Sequence, residues 1–134
     1  MSGETDLSCL LRRLSPALQP GEFVFCSVDE TTLARLDMAC IHGLFRETQG
    51  ITVIVLTSYA TRMGLAGEGP FCCITCEVHS SLSAVGLTAA IATRLTAVGV
   101  SANVVAAYHH DHIFVPVSDV SLAVQTLKAL SAAY

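Results

Sequence analysis

The chain has 134 residues, of which 52% are hydrophobic and 13% are charged. This composition supports a folded core and differs from that of a disordered chain, and the length fits one ordinary domain or two small ones. The formal net charge is −4 and the basic residues are scattered apart from Arg12 and Arg13, so we expect no nucleic-acid partner. We find no apolar run long enough for a membrane span and therefore expect no membrane association and a cytoplasmic protein.

The first half of the sequence predicts a helix, then a strand, a helix, a hairpin and another helix. Leucines recur on one helix face from Leu7 to Leu14, behind a capping Asp6. The predicted elements that follow are a buried strand at Phe23–Val28, a short helix in Glu30–Ala39, strands in Leu44–Thr48 and Ile51–Thr57, and a helical turn in Ser58–Leu65. Glycine and proline then cluster in Ala66–Pro70, which predicts a linker.

The second half gives a similar but clearer pattern. A strand is predicted at Phe71–Val78, and a helix over Ser83–Val98, capped by Ser80 or Ser81 and ended by Gly99. The remaining predicted elements are strands in Val100–Ala107 and His112–Val117 and a last helix that Ser118 caps. The order βαββα thus occurs twice, in Phe23–Leu65 and in Phe71–Ala133, which indicates an internal duplication. We expect one unit in residues 1–66 and a second in residues 67–134.

Several stretches carry a resemblance to a known family. The sequences "SAVGLTAAI" and "GVSANVV" resemble the first helix and second strand of an ACT domain of the aspartokinase type. The stretches "GEFVFCSV", "FRETQGITVIV", "CEVHSSLSAVGLTAA" and "HDHIFVP" make the whole chain similar to small bacterial tandem-ACT proteins. The resemblance implies an α+β fold, in which two ferredoxin-like βαββα units with antiparallel sheets pack side by side. It also implies a module that binds a small effector, commonly an amino acid, at the interface between two ACT units.

The expected ligand site lies around the start of the predicted Ser83–Val98 helix. Free backbone N–H groups at a helix start can receive a carboxylate, and Gly86 lacks a Cβ that would block its approach. Hydroxyl, imidazole, amide and carboxylate groups nearby can complete the site. The candidate ligand contacts are His79, Ser80, Ser81, Leu82, Val85, Gly86, Asn103 and Asp111. Purely structural roles also fit: Ser81 as a cap, Gly86 as a helix packing position and Asn103 as a polar residue at a strand edge.

The stretch "AAYHHDHIFVP" raises the question of a metal site at His109, His110, Asp111 and His112. Strand alternation would send His110 and His112 to one side and His109 and Asp111 to the other, so one ion would reach only two of them unless His79 or His42 joined from elsewhere. We therefore expect no metal, and prefer polar turn residues with Asp111 directed toward the ligand or the turn amides.

The six cysteines include a CxxC pair, Cys73 and Cys76, but the pair falls on a predicted strand and indicates buried, reduced thiols. No cofactor motif or catalytic constellation is found, so no cofactor and no enzymatic activity are expected. Three functions remain open: an amino-acid-sensing module, a dimerisation or partner-binding scaffold, and a metal-dependent enzyme using His109–His112. A homodimer is expected, because an apolar chain with two incomplete sheet units tends to bury its remaining sheet or helix surface by pairing.

Overall fold

The computed structural model describes residues 6–134, which form two compact units. The inserted unit is Gly21–Phe71, and the terminal unit combines residues 6–20 with residues 72–134. The elements in chain order are α1 (Leu7–Arg12), β1 (Pro16–Leu18), β2 (Phe23–Val28), α2 (Glu30–Arg35), β3 (Ile41–Arg46), β4 (Ile51–Leu56), α3 (Thr57–Met63), β5 (Gly67–Cys76), α4 (Leu87–Ala97), β6 (Asn103–Ala106), β7 (Asp111–Pro116) and α5 (Val120–Ala132). The predicted βαββα order is confirmed in both units.

Helix α1 shows why the packing divides the chain differently from the expected boundary between residues 66 and 67. The helix begins as predicted at Asp6, whose carboxylate accepts a hydrogen bond from the Cys9 amide at 3.2 Å. Its leucines Leu10 and Leu11, however, lie in the same buried cluster as Ile91 of α4 and Leu127 of α5. The N-terminal segment therefore folds with the second repeat. The start of the expected first unit, residues 1–5, lies outside the described residues.

The inserted unit is a four-stranded sheet in the order β3-β4-β2-β5, and its own helices are short. Strand β2 pairs antiparallel with β4 along its whole length, and β3 pairs antiparallel with β4. Val53 and Val55 of β4 are fully buried in this unit's core, with Tyr59 of α3 packed beside them. Alternating apolar residues on β4 thus supply the face that the helices cover.

Residues 66–70 are not the linker that the sequence predicts, because Gly67–Pro70 form the first part of β5. Glu68 pairs with Phe25 and Gly67 with Cys26 of β2. A Cβ on Gly67 would lie 2.7 Å from the Phe25 carbonyl oxygen, so glycine allows the close approach of the two backbones. This segment supplies the fourth strand that the first βαββα repeat lacks.

The terminal unit completes its sheet in a different way. Strand β5 neighbours β7, which pairs antiparallel with β6, and β1 pairs antiparallel with β5 through Leu18 opposite Ile74. The missing fourth strand therefore comes from the N-terminal segment. Helices α1, α4 and α5 cover the sheet, and their leucines and isoleucines form a larger core than that of the inserted unit.

The start of α5 differs from its prediction. A 3-10 turn at Val117–Asp119 precedes the helix, so Ser118 lies inside that turn and caps nothing. The residue at the cap position is Asp119, whose side chain makes no capping hydrogen bond. Neither α5 nor any other helix within the described residues has the length and apolar character needed to cross a bilayer.

Candidate functional site

The segment between β5 and α4 is a ten-residue loop, residues 77–86, that ends at an uncapped helix. Helix α4 begins at Leu87 rather than at the predicted Ser83, and its N-cap residue is Gly86, at φ +98°. No side chain caps the helix and its first turn contains no acidic residue. The amides of the first turn have no acceptor within the helix, so this end favours an anionic group.

The two serines that were predicted to cap α4 lie too early in the chain to do so. The Ser81 hydroxyl accepts a hydrogen bond from the Ser83 amide at 3.0 Å, and its carbonyl accepts one from Ala84, also at 3.0 Å. Ser81 therefore stabilises a local turn in the loop. The apolar residues with helical spacing begin at Ala84, three residues before the helix. The helix cannot extend back to Ala84, because the backbone at Gly86 is left-handed.

Gly86 allows a left-handed backbone turn just before α4. Its positive φ is rare for residues with a Cβ, and a Cβ built there would lie 3.1 Å from Cδ2 of Leu7. The glycine thus allows both the turn into α4 and close packing against α1. A role for Gly86 in the approach of a ligand stays a prediction.

The loop lies beside the turn that joins β6 to β7. The rings of His79 and His109 have centroids 6.0 Å apart, and Tyr108 contacts His109 edge-on with centroids 4.9 Å apart. Leu82 and Val85, also in the loop, are 69% and 82% exposed. Exposed apolar side chains next to an uncapped helix start are typical of a surface that a ligand or partner covers.

Asp111, the first residue of β7, is the least exposed charged side chain in the part of the chain that the structure describes, at 8%. Burial raises its pKa, against a lowering effect of His112 and His110. The side-chain hydrogen bonds seen among residues 6–134 include none to its carboxylate, and its oxygens are not among atoms that are both shut off from solvent and unpaired. Burial also raises the pKa of Cys76 to about 12, with the negative charge of Asp111 as the next contribution, so the two groups are neighbours.

Asn103 lies at the opposite end of the β6–β7 pairing from Asp111. It is exposed, pairs with Phe114 and donates its side-chain amide to the Phe114 carbonyl oxygen at 3.4 Å. Asp111 pairs with Ala106, three register positions away, which corresponds to about 10 Å along the strand. A role for Asn103 beside the loop of residues 77–86 stays a prediction. Its distance from Asp111 could not be foreseen, because strand register cannot be read from local sequence.

The histidine-rich turn, His109 to His112, leads into the first residues of β7. No three His, Cys, Asp or Glu side chains among the described residues are grouped closely enough to hold an ion. Nδ1 of His112 lies 2.8 Å from Oγ1 of Thr75, so one candidate ligand is already bonded to the neighbouring strand. Burial lowers the pKa of His112, assisted by His110 and opposed by Asp111. Sequence reasoning missed the pair with Thr75, because only the alignment of β5 beside β7 creates it.

The CxxC cysteines lie on β5 as predicted, and both are buried and free of disulfides. Burial raises the pKa of Cys73 to about 11, while a hydrogen bond with Thr75 lowers it and Cys72 raises it slightly. Because the thiolate is the reactive form, these pKa values oppose redox or metal chemistry at neutral pH.

Two models of the ACT domain match the chain in tandem, over residues 2–72 and 68–129. A solved Vibrio cholerae protein of unknown function, described as a possible transport protein, is 42% identical, with a TM-score of 0.83 over 93% of this chain and 95% of that one. No curated protein matches.

More distant solved structures share the fold. The ligand-free regulatory subunit of aspartate kinase from Thermus thermophilus is 9% identical, with a TM-score of 0.67 over 87% of this chain and 97% of that one. Aspartokinase III from E. coli, in complex with aspartate and ADP, is 12% identical, with a TM-score of 0.62 over 86% of this chain and 32% of that one.

Proposed function

Because the chain belongs to the ACT-domain family, we propose that it is a regulatory module whose terminal unit binds a free amino acid. ACT domains are regulatory modules that generally bind small-molecule effectors such as amino acids. The amino acid is our assignment of the ligand, and the site is the loop of residues 77–86 together with Asp111.

The observation that carries this proposal is the environment of Asp111. A carboxylate with 8% exposure normally has a hydrogen-bond or ionic partner, since burial of an unpaired charge is unfavourable. The histidines nearby lower its pKa but do not bond to it. An α-ammonium group supplies three donors and a positive charge, and so matches what this carboxylate lacks.

The opposite end of an amino acid matches the start of α4. The helix has eleven residues, no side-chain cap and no acidic residue in its first turn, so an α-carboxylate can accept from its free amides. Exposed Leu82 and Val85 then offer apolar contacts for an aliphatic side chain. His79 and Ser80 in the loop supply further polar contacts in this proposal, while Ser81 holds the turn.

Placement of the ligand at an interface between ACT units stays a prediction, and Asn103 provides its test. Asn103 lies about 10 Å along the hairpin from the level of Asp111. If the ligand bridges two ACT units, a second ACT surface can present Asn103 to it. Asn103→Ala should therefore leave affinity unchanged for a site made by the terminal unit alone, and weaken it by about 1 to 3 kcal/mol for an interface site.

A melting-temperature screen with the twenty amino acids is the first experiment. A ligand at one hundred times its Kd stabilises the folded state by about 2.7 kcal/mol, which is a clear shift for a small protein. The amino acid that raises Tm is then titrated by calorimetry into the wild type and into Asp111→Asn. Loss of the charge should weaken binding by about tenfold to a hundredfold, because charge-assisted hydrogen bonds contribute about 1.5 to 3 kcal/mol.

Asp119→Asn is the matched control, since Asp119 also precedes a helix of the terminal unit and its side chain makes no cap bond. It should bind like the wild type. If none of the twenty amino acids raises Tm, or if Asp111→Asn binds as tightly as Asp119→Asn, the proposal fails.

A partner-binding scaffold is the second candidate, favoured by exposed apolar side chains on an edge strand. Phe45 is 72% exposed on β3, which pairs only with β4 within the inserted unit. We propose a homodimer in either case, because such an edge invites pairing. Light scattering at micromolar concentration should report twice the monomer mass, and a monomer would contradict it. A dimer that no amino acid stabilises favours the scaffold over the sensor.

A further inference from the structure

A second surface of the terminal unit has the chemistry of a binding site and is independent of Asp111. The C-terminal end of α1, the residues just after it and the end of α5 surround a depression of about 530 Å³. Its lining includes Arg12, Ser15, Lys128 and Ser131. This volume is within the range of small-molecule sites, roughly 300 to 1,000 Å³.

The depression is cationic. Arg12 and Lys128 are both exposed, and neither forms an ion pair within the described part of the chain. The lining residues include no aspartate or glutamate. In a chain with a net charge of −4, the charged side chains that line this depression, which Pro16, Ala132 and Tyr134 also line, are both positive, and this favours an anion.

The wall of the depression is held in place by hydrogen bonds. The Ser131 hydroxyl donates to the Arg12 carbonyl oxygen at 2.9 Å, which ties the end of α5 to the end of α1. Ser15 has φ +47°, the left-handed conformation that costs a residue with a Cβ roughly 1 to 2 kcal/mol, and its carbonyl accepts from the Glu77 amide at 3.2 Å. Strain of this kind is concentrated at functional sites.

An apolar depression of about 320 Å³ adjoins the cationic one, and Lys128 lines both. Leu18 of β1, 52% exposed, and Val120 and Val124 of α5 form its walls. A ligand that spans both surfaces has an anionic head beside Arg12 and Lys128 and an apolar tail beside Leu18.

We propose that this cleft between α1, β1 and α5 binds an organic anion, a carboxylate or phosphate that carries an apolar group. The anionic head interacts with the two cations and the tail covers the exposed part of Leu18. This ligand is separate from the amino acid of the proposed function, which lies at the other helix, α4.

The test uses NMR titration of the full chain with three probes: hexanoate, 1-hexanol and acetate. Hexanoate should saturate and shift the amide signals of residues 12–18 and 124–132, while acetate and 1-hexanol, each with half of the required chemistry, should bind at least about tenfold more weakly. Equal binding of 1-hexanol and hexanoate would overturn the anionic assignment, and no saturable binding of hexanoate would overturn the site.

Variants locate the site and separate it from the amino-acid site. Arg12→Gln combined with Lys128→Gln should weaken hexanoate binding by about tenfold or more. The control Arg35→Gln combined with Arg94→Gln removes the same formal charge elsewhere and should change it little. Asp111→Asn should bind hexanoate like the wild type, so failure of one proposal leaves the other standing. Leu18→Gln, at an exposed position that should not unfold the chain, should weaken hexanoate but not acetate.

Two further outcomes would assign the cleft to a different occupant. Sedimentation with anionic phospholipid vesicles, together with no binding of free hexanoate, would overturn the small-molecule assignment in favour of a membrane surface. A dimer that dissociates in Leu18→Gln, again without hexanoate binding, would overturn it in favour of a second copy of the chain. Binding of free hexanoate that the cation variants abolish supports the proposal.

Discussion

The two repeats share the order βαββα but begin their first helices in different ways. In the inserted unit a single residue, Asp29, separates β2 from α2, and its carboxylate accepts from the Thr32 amide at 2.7 Å. In the terminal unit ten residues separate β5 from α4, and no side chain caps the helix. The chain thus supplies its own carboxylate to the start of α2 and no side-chain cap to the start of α4, and we propose that this difference makes the terminal unit the one that binds a ligand.

Helices α2 and α4, the first helices of the two repeats, also differ in length and burial. Helix α2 has six residues and none is buried, whereas α4 has eleven and buries Leu87, Ile91 and Leu95. A longer helix with a buried stripe can hold an exposed N-terminus in place without a cap, because packing rather than capping stabilises it.

Core truncation should show the largest contrast between the units. Leu95→Ala in α4 removes a fully buried side chain and should lower the free energy of unfolding by about 2 to 5 kcal/mol. Leu33→Ala in α2 removes a half-buried one and should lower it by about 1 kcal/mol. Urea denaturation of both variants measures the difference. Equal losses in the free energy of unfolding would show that α4 and α2 do not differ in how much their packing stabilises the chain.

The turn into α4 should depend on glycine for two separable reasons. Gly86→Ala adds backbone strain and a Cβ 3.1 Å from Leu7, so we expect a loss of about 1 to 3 kcal/mol. Gly99→Ala is the control, since Gly99 has φ +76° and no atom within 4 Å of its Cβ position. In thermal unfolding, Gly86→Ala should have a lower Tm than Gly99→Ala. The reverse order would show that contact with Leu7 does not restrict this turn.

Removal of the Asp29 cap of α2 should have a smaller effect on stability than the changes above, and this effect should depend on pH. The backbone hydrogen bond from Thr32 lowers the pKa of Asp29 from its ordinary value of 3.8, so its stabilising contribution is present above that value and is lost as the pH falls through the lowered pKa. Asp29→Ala should lower Tm at pH 7, and the difference from the wild type should shrink below pH 4. Asp119→Ala, which removes no cap bond, should show no such pH trend.

The smallest effect concerns cysteine chemistry. The raised pKa values of Cys73 and Cys76, about 11 and about 12, leave almost no thiolate at neutral pH. A thiol reagent should therefore modify half-buried Cys9 and Cys40 first. Mass spectrometry of partly labelled protein identifies the order, and early labelling of Cys73 or Cys76 would contradict the burial of β5.

Patterns within one element were predictable from the sequence, whereas features that depend on pairing between elements were not. The Asp6 cap, the β3–β4 hairpin and the duplicated βαββα order follow from local periodicity and turn residues. Residues 66–70 resemble a linker because glycine and proline usually mark one, but the inserted unit requires a fourth strand and Gly67 fits beside Phe25. Tertiary pairing overrides the local signal there.

The candidate site was predictable in composition but only partly in geometry. The loop stands out as a polar segment before a predicted helix and Asp111 as a carboxylate at a predicted turn, and the structure brings His79 of the loop next to His109 of that turn. The first residue of α4 was misplaced, because the stripe from Ala84 to Leu95 runs past the turn at Gly86. The separation of Asn103 from Asp111 depends on strand register, and the placement of Arg12 and Lys128 around one depression depends on helix packing, which no local pattern reveals.

We propose that the terminal unit binds an amino acid at the start of α4, which corresponds to the helix start that Asp29 caps in the inserted unit. The most direct test is an NMR titration of the full chain with the amino acid that raises Tm most. We predict saturable shifts of the amide signals of residues 77–89 and 107–112, and none at Asp29–Thr32. Shifts confined to the inserted unit, or no saturable shift with any of the twenty amino acids, would contradict the claim.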